Sequence, residues 1–495
     1  MASLRKLFTD SVVYGLSSIV GRFLNYLLVP VYTYHISAAS GGYGVVTNLY
    51  AYTALMLVVL TFGMETTFFY FANRSGADKR RVFATSLGAV GAVCVVFVAV
   101  VLLGLSPIST AMGYASHPEY VAVMACVVAM DAVQSIFFAR LRLEGRAWRF
   151  AALKLTFIVL NIALNLMVFL VLPHWAGASW MGWYDESHNV GYIFYINLLC
   201  TAVVGLLFLS DMRGVRLRMF DRSLLRPMLR YSLPLLLLGI VGILNQVVDK
   251  ILFPYLMPGH EGEVQLSIYG ACVKIAMIMA MITQAFRYAY EPFVFADQRG
   301  GKSKENQAVV MKLFVAATMF AFMAVMAYID VLKYVVGSDY HEGLRAVPIV
   351  MMAEILMGIY FNLSFWYKLT GRTWWGAVMS GVGSVVMIGF NVAFVPQMGY
   401  MACAWGGLCG YAVCVLLSFF IGRHYYPVPY DLLRIATFVL CGLALTFVMH
   451  MCHALPLGWR LAVNTLLLAA YVAVVAVAER KMIAPLIGKL THLKR

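Results

Sequence analysis

Long apolar runs recur along this chain, and they limit the kind of fold it can adopt. About fourteen stretches of roughly 20 mostly apolar residues are separated by short connections containing Gly, Pro, Asn and charged residues. Each stretch is long enough to cross the hydrocarbon core of a bilayer as an α-helix. We place the spans at residues 8–35, 43–72, 82–105, 118–140, 148–172, 189–211, 228–254, 266–297, 309–330, 344–367, 373–395, 401–421, 432–450 and 460–479. The sequence therefore predicts an all-α integral membrane protein with about 14 transmembrane helices.

Composition agrees with this prediction. The 495-residue chain is 62% hydrophobic and only 12% charged, so little room remains for a soluble domain. Its net charge of +15 comes largely from short loops, which suits anionic lipid headgroups better than nucleic acid.

The first apolar run is too long for a signal peptide and should remain as a helix. The nine cysteines show no metal-ligand or disulfide spacing, so we expect no metal site and no cofactor.

Basic residues concentrate in every second connection. The connections after the even-numbered spans hold most of them, including Arg74, Arg140, Arg213, Lys302 and Arg372. The alternate connections carry only Lys333, Arg345 and Arg460. Because cytoplasmic loops carry the excess of Lys and Arg, the basic side and both termini are predicted to be cytoplasmic. The basic tail after residue 479 is predicted to bind anionic membrane lipids.

The two halves of the chain repeat. At an offset of 226 residues the matching pairs are Tyr43-Gly44 with Tyr269-Gly270, Glu65 with Glu291, Arg142-Leu143-x-Gly145-Arg146 with Lys368-Leu369-x-Gly371-Arg372, and Asn165 with Asn391. Each half holds six spans, an even number, so both halves enter the membrane in the same sense. We therefore predict two parallel six-helix bundles related by a pseudo-two-fold axis along the membrane normal, with a cleft between them and two C-terminal helices added.

This organisation sets the predicted domain boundaries. The first bundle occupies residues 1–212, and a basic cytoplasmic linker follows at 213–230. The second bundle occupies 231–422, and residues 423–495 hold the two added helices and the basic tail.

Three features of the sequence are typical of a known family: the six-plus-six-plus-two layout, the repeated Tyr-Gly pairs and the repeated basic-Leu-x-Gly-Arg turns. In these features the chain resembles the polysaccharide-export (Wzx-like) flippases of the MOP exporter superfamily. The same superfamily contains the lipid II flippases and the MATE exporters. The resemblance implies a location in the bacterial inner membrane. The implied substrate is undecaprenyl-pyrophosphate-linked oligosaccharide, flipped from the cytoplasmic to the outer leaflet by alternating access for O-antigen, capsule or exopolysaccharide synthesis. Polysaccharide polymerase machinery is an implied partner, and H⁺ or Na⁺ is a possible coupling ion.

By the same resemblance, spans one, two, seven and eight line the central cavity. Ionisable residues at bilayer depth are costly unless they are paired or face water, and these spans are rich in them. The candidate substrate-binding cations are Arg22, Lys250, Lys274 and Arg287. The accompanying polar and acidic residues are Asn25, Asn48, Glu65, Asn245, Gln246, Asp249, Gln284 and Glu291.

Two interpretations of these residues remain open. In the functional one, the cations offer successive docking points for a pyrophosphate. In the structural one, Arg287 pairs with Glu291 four residues later, Glu65 and Glu291 anchor the cytoplasmic interface, and Asp249 neutralises Lys250 or Lys274. Outside this set, Asp131, Lys154 and Glu354 stand alone in their spans.

Four other functions have to be distinguished from polysaccharide flipping: an ion-coupled antiporter, a lipid II flippase, a membrane enzyme and an ATP-driven pump. An ion-coupled drug or metabolite antiporter predicts a more acidic cavity, and a lipid II flippase would use the same scaffold. An enzyme needs catalytic residues on a sizeable outer loop, but no outer connection exceeds about 20 residues, so we predict no catalytic site and no enzymatic activity. Gly301-Lys302-Ser303 is not a P-loop, because Ala296 stands where the first glycine belongs.

Arg22 gives the most direct test from sequence alone. It lies mid-span, and its repeat counterpart is the apolar Ile243, so the fold alone does not demand a cation there. We expect Arg22→Ala to reduce transport strongly at unchanged membrane abundance. Unchanged flipping of the lipid-linked sugar by this variant would remove Arg22 from the site.

Overall fold

The computed structural model describes residues 26–74, 76–175, 184–212, 219–297 and 303–480. Within these ranges, thirteen helices are long and apolar enough to cross a membrane, and every ordered element is helical. Spans two to fourteen of the sequence prediction each have such a helix, which confirms the all-α membrane fold. Most of span one, with Arg22 and Asn25, lies outside the described residues, so the count of fourteen stays a prediction.

The α-helices follow the predicted spans closely. In the first half they are α1 Leu28–His35, α2 Gly42–Thr61, α3 Met64–Ala72, α4 Lys79–Leu103, α5 Leu105–Ala111, α6 Pro118–Leu143, α7 Ala147–Leu166 and α8 Asn189–Phe208. The remainder are α9 Arg222–Leu256, α10 His260–Asp297, α11 Ser303–Ala327, α12 Ile329–Leu332, α13 Val347–Leu363, α14 Phe365–Leu369, α15 Trp374–Met398, α16 Tyr400–Tyr425, α17 Leu432–Met451 and α18 Leu457–Ala478. Span two is divided into α2 and α3, because Phe62 and Gly63 both adopt left-handed backbone conformations.

The repeated basic-Leu-x-Gly-Arg motifs form the same turn twice. Gly145 after α6 has φ 67°, and Gly371 after α14 has φ 71°. The backbone N–H of Arg146 donates to the Leu141 carbonyl at 2.9 Å, and that of Arg372 donates to the Tyr367 carbonyl at 2.8 Å. Both turns are Schellman caps, in which glycine supplies the left-handed residue. The sequence repeat therefore has a structural counterpart at the residue level.

The chain divides into two compact units. Unit one comprises Met1–Lys274, Val336–Gly343 and Ser380–Gly410, and unit two comprises Ile275–Val335, Leu344–Met379 and Tyr411–Arg495. In unit one, buried aromatic and aliphatic side chains of α2–α9 form two apolar clusters, one around Phe68, Phe83 and Ile136, the other around Tyr120, Phe169 and Phe194. The bundle boundaries predicted from sequence are not the same division, and they stay a prediction.

In unit two, the last two spans pack on α11 and are fixed to it by buried ion pairs. The Lys312 ammonium lies 2.7 Å from the Glu479 carboxylate, with side chains 8% and 3% exposed, and Arg434 reaches the same carboxylate at 3.2 Å. At the other end of these helices, Arg460 lies 2.8 Å from Asp330. Removing one partner of a buried ion pair leaves an uncompensated buried charge, which is strongly destabilising. These contacts therefore stabilise the packing of α17 and α18 within the unit.

Candidate functional site

Helices α2 and α10 meet at the repeated Tyr-Gly pairs, within unit one. The backbone N–H of Gly44 donates to the Ser267 hydroxyl at 2.6 Å. A Cβ added at Gly44 would collide with the Glu263 carbonyl, and one added at Gly270 would collide with the Thr47 side chain. Small residues allow helices in a membrane to approach this closely. The repeat motif therefore marks a backbone-to-backbone contact between the two halves of the sequence, which we call the outer crossing.

The connection before α13 completes the outer crossing. The Thr33 hydroxyl accepts from the Gly337 N–H at 3.0 Å, and the Tyr340 hydroxyl donates to the Ile36 carbonyl at 2.6 Å. Ser37 donates to the Asp339 carboxylate at 3.1 Å. The basic-loop pattern predicts that this end of the helices faces the outer side of the membrane. Within unit one, these contacts join segments from both halves of the sequence.

A group of polar side chains lies beside the outer crossing, and we call it the polar layer: Asn48, Tyr114, Asp249, Lys250, Tyr269 and Lys274. The Lys250 ammonium contacts both Asp249 oxygens at 3.0 Å. Tyr269, of the repeat motif, donates to Asp249 at 3.0 Å. The predicted neutralisation of Lys250 by Asp249 is therefore observed.

Asn48 joins α2 to the polar layer. Its side-chain amide donates to the Lys250 backbone carbonyl at 2.7 Å, and its oxygen accepts from the Tyr114 hydroxyl at 2.7 Å. Asn48 is 1% exposed, so its hydrogen-bonding groups are satisfied by the protein rather than by water. Asn48 therefore stabilises the packing of α2 against α9 rather than offering a free group to a substrate.

Lys274 adds a second lysine to the polar layer. It lies close enough to Lys250 for the two side chains to interact electrostatically. The layer as defined holds two lysines and one aspartate, and the Glu263 carboxylate lies beside the outer crossing, next to Gly41. Two neighbouring lysines offer charge-assisted hydrogen bonds to an anion.

Asn245 and Gln246 lie one helical turn before Asp249 and Lys250. Asn245 donates to the Ser380 carbonyl at 3.1 Å and accepts from the Ser384 hydroxyl at 3.0 Å, which ties α9 to α15. The Gln246 backbone carbonyl accepts from the Lys250 ammonium at 3.2 Å. These two residues position the polar layer.

Arg287, Glu291 and Gln284 lie in unit two. Arg287 contacts Glu291 at 3.6 Å, and Lys368 contacts the same carboxylate at 3.0 Å. The i,i+4 pair that the sequence left open is therefore present. Lys368 was not among the predicted site residues.

The same ion pair occurs at the equivalent place in unit one, where Glu65 binds Arg142. Glu65 matches Glu291, and Arg142 matches Lys368, at the repeat offset of 226. The repeated carboxylates therefore hold the repeated basic turns, which supports the anchoring interpretation for both glutamates.

This pairing makes a stability prediction. Glu291→Lys should lower the melting temperature of the purified protein, because it places a third cation beside Arg287 and Lys368. Adding Lys368→Glu should recover part of the loss, because it restores one ion pair with the charges exchanged. We expect a coupling energy of about 1 kcal/mol, since the pair is partly exposed. Thermal unfolding of the two single variants and the double variant measures it. Additive effects would show that the contact contributes nothing.

Asp131 and Lys154 do not stand alone, contrary to the sequence interpretation. Both lie in unit one, where they are close enough to interact electrostatically. The Lys154 ammonium also lies 4.2 Å from the centre of the Phe138 ring. Each charge therefore has a compensating group inside the first half of the chain.

Two members of the polar layer were missed from the sequence. Tyr269 was interpreted only as part of the repeat motif, although its position one residue before Gly270 places it at the outer crossing. Tyr114 lies in a connection without membrane-depth charges, and nothing in its neighbourhood singles it out.

The described helices and the outer crossing define a multi-helix membrane fold. No protein-family model matches the sequence, and no curated protein matches it. A structure of the lipid II flippase MurJ, in an inward closed conformation, is 12% identical with a TM-score of 0.72, covering 95% of this chain and 100% of that one.

Two structures of a multidrug resistance MATE family transporter of the MOP superfamily also match. The inward-facing one is 18% identical with a TM-score of 0.59, covering 84% of this chain and 95% of that one. The outward-facing one is 18% identical with a TM-score of 0.56, covering 87% and 96%. The chain therefore has the fold that MurJ and the MATE transporters share.

Proposed function

We propose that this chain flips a lipid-linked oligosaccharide on undecaprenyl pyrophosphate from the cytoplasmic to the outer leaflet of a bacterial inner membrane. The observation that carries the proposal is the presence of two lysines, Lys250 and Lys274, in the polar layer beside the outer crossing. A pyrophosphate is a strong acceptor for charge-assisted hydrogen bonds, and Lys274 offers a donor. Opening and closing of the outer crossing would give the outer leaflet access to that donor.

The shared fold supports a transporter or flippase, and it is equally consistent with several cargoes. The MurJ structure extends over 95% of the chain, and the two MATE structures over 84% and 87%. Flipping of lipid II is the second candidate, favoured by that match. A drug antiporter is the third, and the two lysines of the polar layer disfavour cationic drugs. Polymerase machinery for the polysaccharide, anionic lipids as partners and an H⁺ or Na⁺ gradient as energy source belong to the same proposal.

Reconstitution tests the proposal. Purified protein in liposomes should flip a fluorescent undecaprenyl-pyrophosphate oligosaccharide faster than protein-free liposomes, as measured by the fraction of label open to a membrane-impermeant quencher. Lipid II and a cationic drug serve as the competing cargoes. Flipping of lipid II alone would reassign the cargo, and drug transport alone would overturn the proposal.

A further inference from the structure

A cavity of about 220 Å³ lies wholly within unit two, apart from the polar layer. Its lining includes Gln307, Trp366, Ser418, Arg423, Tyr426 and Tyr430. These residues come from α11, α14, α16 and the connection between α16 and α17. The basic-loop pattern assigns this end of the helices to the cytoplasmic side.

The polar residues of the cavity lie near the ends of α11 and α16 that are predicted to face the cytoplasm. Ser418 lies seven residues before the end of α16 at Tyr425, which corresponds to about 10 Å along the helix. Gln307 lies four residues after the start of α11 at Ser303, about 6 Å from that end. A group bound here would remain near the membrane surface and would not cross it.

The lining is aromatic with a few buried polar groups. The Trp366 ring N–H donates to the Ser418 hydroxyl at 3.1 Å, and the Gln307 amide donates to the Tyr426 hydroxyl at 3.3 Å. Trp366 and Ser418 are 4% and 0% exposed. Aromatic rings with a polar edge are typical of the interface between lipid tails and water.

Three cations stand at or near the mouth of the cavity. Lys304 lies 4.5 Å from the centre of the Tyr426 ring, and Arg372 lies 4.0 Å from that of Tyr425. Arg423 is part of the lining. Among residues 303–480, none of these three has an ion-pair partner, whereas nearby Arg434 is held by both Asp431 and Glu479. Glu305, beside Lys304, is exposed.

We propose that this cavity binds the phosphate-bearing headgroup of an anionic phospholipid from the cytoplasmic leaflet. Arg423 and Lys304 would hold the phosphate, and the aromatic walls would contact the glycerol and upper acyl chains. The proposal does not depend on which cargo the protein carries.

Lipid binding to the purified full-length chain tests it. After delipidation in detergent, phosphatidylglycerol should bind in native mass spectrometry, and a photoactivatable analogue with its reactive group near the headgroup should crosslink to the segment 418–432. Arg423→Ala with Lys304→Ala should weaken binding about tenfold. Arg226→Ala, an exposed cation in unit one, is the matched control and should bind as the wild type does.

Competing ligands separate the possible sources of phosphate. Phosphatidylcholine and millimolar inorganic phosphate should fail to displace phosphatidylglycerol, and so should undecaprenyl phosphate at equal concentration. Displacement by inorganic phosphate would indicate a free-anion site, and displacement by undecaprenyl phosphate would indicate a substrate site. Either result, or wild-type lipid binding by the double variant, would overturn the proposal.

Discussion

Lys274→Gln should slow flipping of a lipid-linked oligosaccharide by about tenfold to a hundredfold. This corresponds to the loss of one charge-assisted hydrogen bond, about 1.5–3 kcal/mol, to the pyrophosphate. Membrane abundance should not fall, because the substitution relieves the repulsion between Lys274 and Lys250. The measurement is the initial rate of flipping in liposomes, at equal amounts of inserted protein.

Two controls make this result specific. Lys274→Arg keeps the charge and should retain much of the rate. Arg345→Gln removes an exposed cation that the basic-loop pattern also places on the outer side, and should flip at the wild-type rate. Wild-type flipping by Lys274→Gln would exclude Lys274 as a substrate contact.

Gly270→Leu should abolish transport, because its side chain would occupy the space filled by Thr47 and keep the outer crossing from closing. Buried Cys272 reports on this change. Its thiol donates to the Tyr340 carbonyl at 3.1 Å, so it should be protected in the wild type and labelled by a membrane-impermeant maleimide in the variant. The other eight of the nine native cysteines are removed for this measurement.

A rescue separates a blocked crossing from simple misfolding. Gly270→Ala should also impair transport, and adding Thr47→Gly should restore part of it, because the colliding side chain is gone. Gly91→Leu on α4 is the matched control, since a Cβ at Gly91 meets no atom within 4 Å. Full transport by Gly270→Leu with Cys272 labelled would show that closure of the outer crossing is not needed for transport.

Much of the fold could be predicted because one rule governs it. In lipid the backbone must satisfy its own hydrogen bonds, so each apolar run of sufficient length becomes a helix. The repeat was equally readable, since Gly145 and Gly371 each supply the left-handed residue that the same turn requires. The break at Phe62 was not predicted, because no proline or charge marks it.

The site was less predictable, because helical sequence does not say which faces meet. Membrane depth singled out Lys250 and Asp249, but not the hydroxyls of Tyr269 and Tyr114 that complete the polar layer. The Arg287–Glu291 contact was foreseeable from its spacing, whereas the Lys368 contact with Glu291 requires tertiary structure.

A reversible cross-link across the outer crossing tests the central claim most directly. The Ser37 hydroxyl donates to the Asp339 carboxylate at 3.1 Å. Ser37→Cys with Asp339→Cys, in a chain without its native cysteines, therefore places two thiols close enough for oxidation to a disulfide. The oxidised protein should lose flipping in liposomes, a reductant should restore it, and each single-cysteine variant should be insensitive to oxidation. Equal flipping rates in the cross-linked and reduced protein would contradict transport by opening of the outer crossing.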